Sequence, residues 1–195
     1  MCCKGQDQEF VTYLSNLRKV ELPLTIDRKT YNSIFYPNKN NHEIIESDVK
    51  KFVCQDSTNC TVNTTEYRYD YGVKFILGNF YVVLVHKQKY EGITSYDFDL
   101  SEILLIIYSR EGKILSLKSI SKDNDGWISS THVTKEYIEV QQIKVLEFNK
   151  PEMNCEIEKK IYQISKDGIV INIHKEPIKK GIVIWDKQID DFRLK

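Results

Sequence analysis

The amino-acid sequence predicts a mainly β protein of the α+β class, an antiparallel meander of about seven to nine strands with two short N-terminal helices. Three observations support this prediction. The 195 residues include no alanine, the best helix former, whereas Ile, Val, Tyr and Thr, which suit strands, are plentiful. From residue 66 onward, apolar runs alternate with polar turns that contain glycine. No long helical pattern separates these runs, which argues against a parallel nucleotide-binding sheet.

Both helices are predicted before the meander. Residues 8–19 repeat apolar side chains at three- and four-residue spacing, which is typical of an amphipathic helix. Residues 47–53 form a second short helix with three inward-facing apolar side chains, Val49, Phe52 and Val53. Between them, Leu22-Pro23 favours an extended segment, because a residue before proline disfavours the helical region. Residues 28–42 are polar and are predicted to be irregular.

The meander is predicted to run continuously over residues 66–186. Its strands are expected at 66–77, 80–87, 97–109, 114–121, 127–134, 137–148, 156–165, 169–174 and 182–185. The run Ile103–Tyr108 is apolar throughout, as in a central strand. Polar segments at Gly78-Asn79, Asp123–Gly126 and Lys166–Gly168 are predicted to turn the chain between hairpin partners.

Length and charge predict one domain, residues 7–195, after a flexible tether of residues 1–6. Twenty-eight Lys and Arg residues balance twenty-eight Asp and Glu residues, so the formal net charge is zero. A neutral chain has no bulk attraction for nucleic acid, and nucleic acid is therefore not an expected partner. No stretch approaches the roughly 20 apolar residues that span a bilayer, so no transmembrane segment is expected.

The sequence contains none of the local motifs of common catalytic or metal sites. The nucleophile elbow, the P-loop and the zinc-binding spacings are all missing, so no catalytic residue, metal ligand or cofactor is predicted. Asp97, Asp99 and Glu102 are interpreted as a solvated strand edge. The histidines are dispersed, and only cross-strand pairing would bring any of them together: His42, His86, His132 and His174.

Three alternating tyrosines, Tyr67, Tyr69 and Tyr71, are the predicted partner-binding residues. Alternation places all three rings on one face of a strand. A tyrosine-rich face suits a protein or glycan interface, because the ring supplies contact area and the hydroxyl supplies a hydrogen bond. We expect at least one ring to be substantially exposed. The alternative interpretation is cross-strand aromatic packing inside the sheet.

The five cysteines leave two questions open. Cys54 and Cys60 flank a short polar segment and either close a small disulfide loop or stay free in a reducing compartment. Cys2 and Cys3 stand where a mature bacterial lipoprotein carries its lipid-modified cysteine, and they are the predicted lipid attachment sites. The other interpretations are a cytoplasmic chain that starts at Met1 and an incidental pair of cysteines at a frayed end.

The pattern as a whole resembles small lipoproteins of Gram-negative gut anaerobes. The resemblance rests on the N-terminal cysteines, the short helix, Leu22-Pro23 and then the meander with its elements Ile103–Tyr108, Glu111–Lys113 and Tyr162 followed by Asp167-Gly168. It covers most of the chain. It implies a lipid-anchored place in the cell envelope, and it does not imply an activity.

These observations favour a non-enzymatic β-rich interaction module, tethered to the cell envelope, that binds a protein or glycan partner. One alternative is an immunity protein that neutralises a bacterial toxin by occluding it, since small neutral domains with helices on a sheet fit that role. The other alternative is a hydrolase whose site is assembled from residues distant in sequence. A deep cleft with convergent titratable groups would favour the hydrolase.

Overall fold

The computed structural model describes residues 8–35, 43–54, 67–89, 101–123, 127–147, 150–187 and 191–195. In these ranges the chain forms three helices and twelve strands, and the strands make two sheets. The mainly β class is confirmed, but the single meander with only two helices is wrong. The helices are α1 (Gln8–Ser15), α2 (Arg28–Phe35) and α3 (Glu46–Asp48), and α3 continues as a π-helical segment, Val49–Cys54.

The strands follow the predicted bounds closely, except that three short strands were not anticipated. In chain order they are β1 (Arg18–Lys19), β2 (Leu24–Ile26), β3 (Tyr67–Leu77), β4 (Phe80–Lys89), β5 (Ser101–Tyr108), β6 (Ile114–Asp123), β7 (Trp127–Val133), β8 (Ile138–Val145), β9 (Glu152–Ile164), β10 (Val170–Lys175), β11 (Lys179–Asp186) and β12 (Asp191–Leu194). The unanticipated strands are β1, β2 and β12.

The chain leaves one sheet after β6 and builds a second. Sheet A has the order β1-β3-β4-β5-β6, and β1 pairs with β3 in parallel. Sheet B has the order β12-β11-β9-β8-β7-β2, with β10 also paired to β9. Because β6 and β7 belong to different sheets, the hairpin predicted at Asp123–Gly126 is wrong; residues 124–126 themselves lie outside the described ranges.

Sheet A is the middle layer of the molecule. One of its faces packs against sheet B and forms the main core, to which both sheets contribute, for example Leu84, Leu105 and Val140. Its other face is covered by α1 and by the helical segment that starts with α3, through residues such as Phe10 and Val53. Sheet A is therefore buried on both faces, which explains why β5 is apolar from Ile103 to Tyr108.

Helix α2 forms where the sequence predicted irregular chain. Asp27 Oδ1 accepts a hydrogen bond from the backbone N–H of Thr30 at 2.9 Å, and Thr30 Oγ1 accepts one from the backbone N–H of Asp27 at 2.9 Å. This reciprocal cap satisfies two backbone donors at the helix start. The helix then buries Ile34 and Phe35 in the main core and contacts both sheets. Tertiary packing thus compensates for the poor helix propensity of its polar residues.

Strands β8 and β9 change their buried face halfway along. Near the middle of the molecule they direct Ile138, Val140 and Tyr162 into the core between the sheets. Farther along, the residues on the opposite face are buried in a separate small cluster that includes Val145, Met153, Cys155 and Val183. Because strand side chains alternate, this change moves the apolar positions of β9 from odd to even numbers. Sheet B therefore has two cores on opposite faces.

Candidate functional site

The three predicted tyrosines lie on the face of sheet A that the helices cover. Tyr69 is buried, at 1% exposure, and Tyr67 and Tyr71 are partly exposed and pack against the same cluster. Burial raises the pKa of Tyr69 to about 12. Because α1 and the segment after α3 pack over this face, Tyr67 and Tyr71 are only partly exposed, and their role in partner binding stays a prediction. The rings share one face as predicted, and for Tyr69 cross-strand core packing is the correct interpretation.

Tyr71 is the predicted residue that reaches an open groove. The groove has a volume of about 760 Å³ and lies between α1 and the segment that contains α3. A volume of this order is common in sites that bind small molecules or short segments. Its polar lining includes Gln8, Thr12, Asn16, Glu43, Ser47 and Asp48.

The Tyr71 hydroxyl connects the two walls of the groove. It donates a hydrogen bond to Asp48 Oδ2 at 3.2 Å and accepts one from Asn16 Nδ2 at 3.3 Å. Burial raises the pKa of Tyr71, and the neighbouring Asp48 carboxylate raises it further. The phenol therefore stays protonated at neutral pH and can act as both a donor and an acceptor.

The groove carries an excess of negative charge. Among its described lining residues there are three carboxylates, Glu9, Glu43 and Asp48, and one ammonium group, that of Lys51. The Lys51 ammonium pairs with Glu9 and joins α1 to the segment that follows α3. A positively charged or hydrogen-bond-donating ligand is the electrostatic complement of this surface.

An aromatic cluster fixes the groove beneath its polar lining. Tyr13 stacks on Phe52, with ring centroids 4.7 Å apart, and lies 5.8 Å from the ring of Tyr71. The buried Tyr108 hydroxyl donates to the carbonyl oxygen of Phe52. Offset aromatic contacts of this kind add stability beyond the burial of their area. The walls of the groove are thus held by a packed core.

A second polar arrangement lies on the opposite face of sheet A. Asp70 and His86 are directly paired across β3 and β4, and both are buried. His86 Nδ1 lies 3.5 Å from Asp70 Oδ2, and His86 Nε2 lies 2.6 Å from Ser101 Oγ at the start of β5. Arg68 Nε donates to the other Asp70 oxygen, Oδ1, at 2.6 Å.

Helix α2 covers this arrangement. The Tyr31 hydroxyl lies 3.1 Å from Ser101 Oγ, and the Tyr31 ring meets the His86 ring edge to face, with centroids 5.2 Å apart. Phe35 packs on His86 at 5.4 Å. Gly72 makes this close approach possible, because a Cβ there would lie 2.6 Å from the Phe35 ring.

Sequence reasoning did not group Asp70, His86 and Ser101 because these residues are 15 or more positions apart. The available signal was alternation: Val82 and Leu84 face the main core, and His86 continues the same inward series. Cross-strand pairing does bring His86 to a partner, which is a carboxylate and not another histidine. His132 hydrogen-bonds Thr25, at 3.0 Å, and His174 is exposed on β10.

The remaining predicted sites fall mostly outside the described ranges. These are residues 1–6 with Cys2 and Cys3, and also Cys60, His42, Asp97 and Asp99. Cys54 is disulfide-bonded, and Cys155 is free and buried. Within the described residues, no group of three or more potential ligands is placed to hold a metal ion. No helix in that part of the chain has the length and apolar character needed to cross a membrane.

The chain matches no family model, no curated protein and no solved structure at a significant level.

Proposed function

We propose that this protein is a binding module of the cell envelope that holds a basic segment of a partner protein in the groove between α1 and α3. The observation that carries the proposal is the acidic groove itself, with Tyr71, Asp48 and Asn16 joined across it. Its excess of carboxylates favours a ligand with Lys or Arg side chains.

A protein partner is favoured over a glycan by the state of the aromatic rings. Sugar sites commonly offer an open aromatic face, whereas Tyr13 is only 1% exposed and lies beneath the polar lining. The groove presents hydroxyl and carboxylate groups together with the exposed aliphatic side chain of Ile45 and part of Tyr71. An immunity protein would bind through the same acidic groove, with a basic toxin as its partner.

The proposed location rests on two features. The chain resembles envelope lipoproteins, with Cys2 and Cys3 as the proposed lipid attachment sites. Cys54 is disulfide-bonded, and disulfides persist in oxidising compartments such as the periplasm and the cell surface. Both features support an envelope location over a cytoplasmic one.

The groove can be tested with short fluorescent peptides that contain Lys and Arg, together with matched peptides that carry Gln instead. We expect the basic peptides to bind and their affinity to fall as salt is raised. The double variant Glu43→Gln/Asp48→Asn should weaken binding about tenfold, since each partly exposed ion pair contributes roughly 0.7 kcal/mol. Fluorescence anisotropy measures both effects.

The matched control is Glu136→Gln/Glu147→Gln, which removes two exposed carboxylates from the sheet B side of the molecule. It changes the net charge equally and should leave binding unchanged. If both double variants lost the same amount of peptide affinity, only the overall charge would matter, and the groove would be refuted as the binding site. Binding of neutral oligosaccharides, mapped to the groove by NMR shifts and insensitive to salt, would refute the choice of a protein partner.

A further inference from the structure

The side chains of Asp70, His86 and Ser101 stand in the order carboxylate, imidazole, hydroxyl across three neighbouring strands. The contacts are 3.5 Å from Asp70 Oδ2 to His86 Nδ1 and 2.6 Å from His86 Nε2 to Ser101 Oγ. The two ring nitrogens are therefore used for different partners. This constellation is recognised by its geometry and by the role of each group, and it recurs on unrelated folds.

The Asp70 carboxylate near the His86 ring favours one tautomer of the imidazole and so sets the direction of the hydrogen bond to Ser101. The Asp70 carboxylate beside Nδ1 favours the tautomer with its proton on that nitrogen. Nε2 is then an acceptor, and the Ser101 hydroxyl donates to it. A hydroxyl that donates to an imidazole nitrogen is placed for nucleophilic attack with general-base assistance.

The carboxylate is buried and its charge is balanced. Asp70 is 0% exposed and accepts a hydrogen bond from Arg68 through Oδ1, which leaves Oδ2 directed at the imidazole. An ionised Asp70 would stabilise the imidazolium that forms when His86 takes a proton. Tight packing of Phe35 and Tyr31 on the ring excludes water from its faces.

Ser101 differs from the other two residues in its exposure. It is the first residue of β5 and is partly exposed, whereas Asp70 and His86 are buried. The Tyr31 hydroxyl lies 3.1 Å from Ser101 Oγ and is placed to donate to it when Ser101 donates to His86. A tyrosine hydroxyl in this position is also a suitable donor for the oxyanion of a tetrahedral intermediate.

We propose that Ser101 is the nucleophile of an acyl-transfer site that hydrolyses carboxylic esters. Ser101 Oγ attacks the ester carbonyl carbon, and its proton passes to His86 Nε2. The bond between the carbonyl carbon and the alkoxy oxygen then breaks, and His86 returns the proton to the departing alcohol. Water attacks the acyl-serine with the same assistance, which releases the carboxylic acid and restores Ser101. No oxidant, metal or other co-reactant enters the balance.

This activity does not rest on the groove. The groove and the ester site lie on opposite faces of sheet A, so either one can be removed while the other is retained. The groove variants Glu43→Gln/Asp48→Asn should leave Ser101 fully reactive.

The experiment is covalent labelling of the whole protein with a biotinylated fluorophosphonate, followed by mass spectrometry of the intact chain and of its peptides. We expect one label per molecule, on the peptide that contains Ser101. Ser101→Ala should abolish it, while the matched strand variant Ser130→Ala should be labelled like the wild type. His86→Asn should slow labelling at least about 100-fold, since that is the usual contribution of a positioned base.

Tyr31→Phe keeps the aromatic packing and provides a test even where His86→Asn fails to fold. It should slow labelling and the release of p-nitrophenol from p-nitrophenyl acetate while leaving the melting temperature close to wild type. Wild-type protein that carries no label on Ser101 overturns the proposal directly. If Ser101 were labelled in folded His86→Asn at the wild-type rate, the proposal would also be overturned, because the imidazole would not contribute to the reaction.

Discussion

Sheets A and B share one core but differ in what covers their second faces. The second face of sheet A is packed under α1 and the segment after α3, and Val82–Val85 and Ile103–Tyr108 are buried without interruption. In sheet B, β10 carries two isoleucines that remain about half exposed, Ile171 and Ile173, and Ile169 just before it is equally exposed. The difference shows that the same antiparallel architecture produces continuous apolar strands or alternating ones, depending on how many faces are buried.

The largest expected loss of stability comes from truncating a buried side chain in sheet A, compared with a half-exposed one in sheet B. Leu105→Ala in β5 removes a side chain that is 0% exposed in the main core, and should lower the free energy of unfolding by about 2–5 kcal/mol. Ile171→Ala in β10 removes one that is 47% exposed and should change it by less than about 0.5 kcal/mol. Urea denaturation followed by circular dichroism measures both. Similar losses would mean that the isoleucine face of β10 is covered in solution.

A smaller effect is expected at the close approach of α2 to sheet A. A Cβ at Gly72 would lie 2.3 Å from the carbonyl oxygen of Leu84 and 2.6 Å from the Phe35 ring, so Gly72→Ala must shift β3 relative to both β4 and Phe35. We expect a loss of about 1–3 kcal/mol, as for other overpacked cores. Gly78→Asn is the control: its φ is +56°, which asparagine tolerates, and no atom lies within 4 Å of its Cβ. If Gly72→Ala left the free energy of unfolding unchanged, α2 would have to pack more loosely on sheet A than it does in the structure.

The smallest effect is a rate of thiol labelling and not a change in stability. Cys155 is buried in the separate cluster of sheet B, and burial raises the pKa of its thiol, so little thiolate forms near neutral pH. We expect iodoacetamide to label Cys155 slowly, through local opening of sheet B at a lower free energy than global unfolding. Mass spectrometry of the Cys155 peptide follows the reaction. Labelling that requires global unfolding would show that both sheets open together.

The sequence predicted those elements whose pattern is local. Nine strands, the first helix and the inward side chains of the second helical segment follow from periodicity, and the structure has all of them. Strands β1, β2 and β12 are too short to show a period, and they exist because a partner strand lies beside them. Helix α2 had a local signal in Asp27 and Thr30, which was outweighed by the polar residues that follow.

The division into two sheets could not be predicted from local pattern. Strand β6 ends with the same kind of polar turn sequence as the true hairpins, and only the pairing of distant strands decides the sheet to which β7 belongs. The same reason hid the group formed by Asp70, His86 and Ser101, since cross-strand register brings it together. In β9 the buried side chains are at odd positions at first, Met153 and Cys155, and at an even position later, Tyr162. This shift was visible in the sequence and would have indicated a change of buried face.

The N-terminal segment takes part in both sheets through strands only a few residues apart. Strand β1 pairs with β3, and β2 pairs with β7, so that Thr25 contacts His132, 107 residues later. A ribosome adding about 5–20 residues per second would need roughly 5–20 s to deliver that partner after Thr25 has been made. During this interval β2 lacks β7, the strand with which it pairs. Strands β3 to β6, which lie between β2 and β7 in the sequence, are therefore made before β2 can pair with β7.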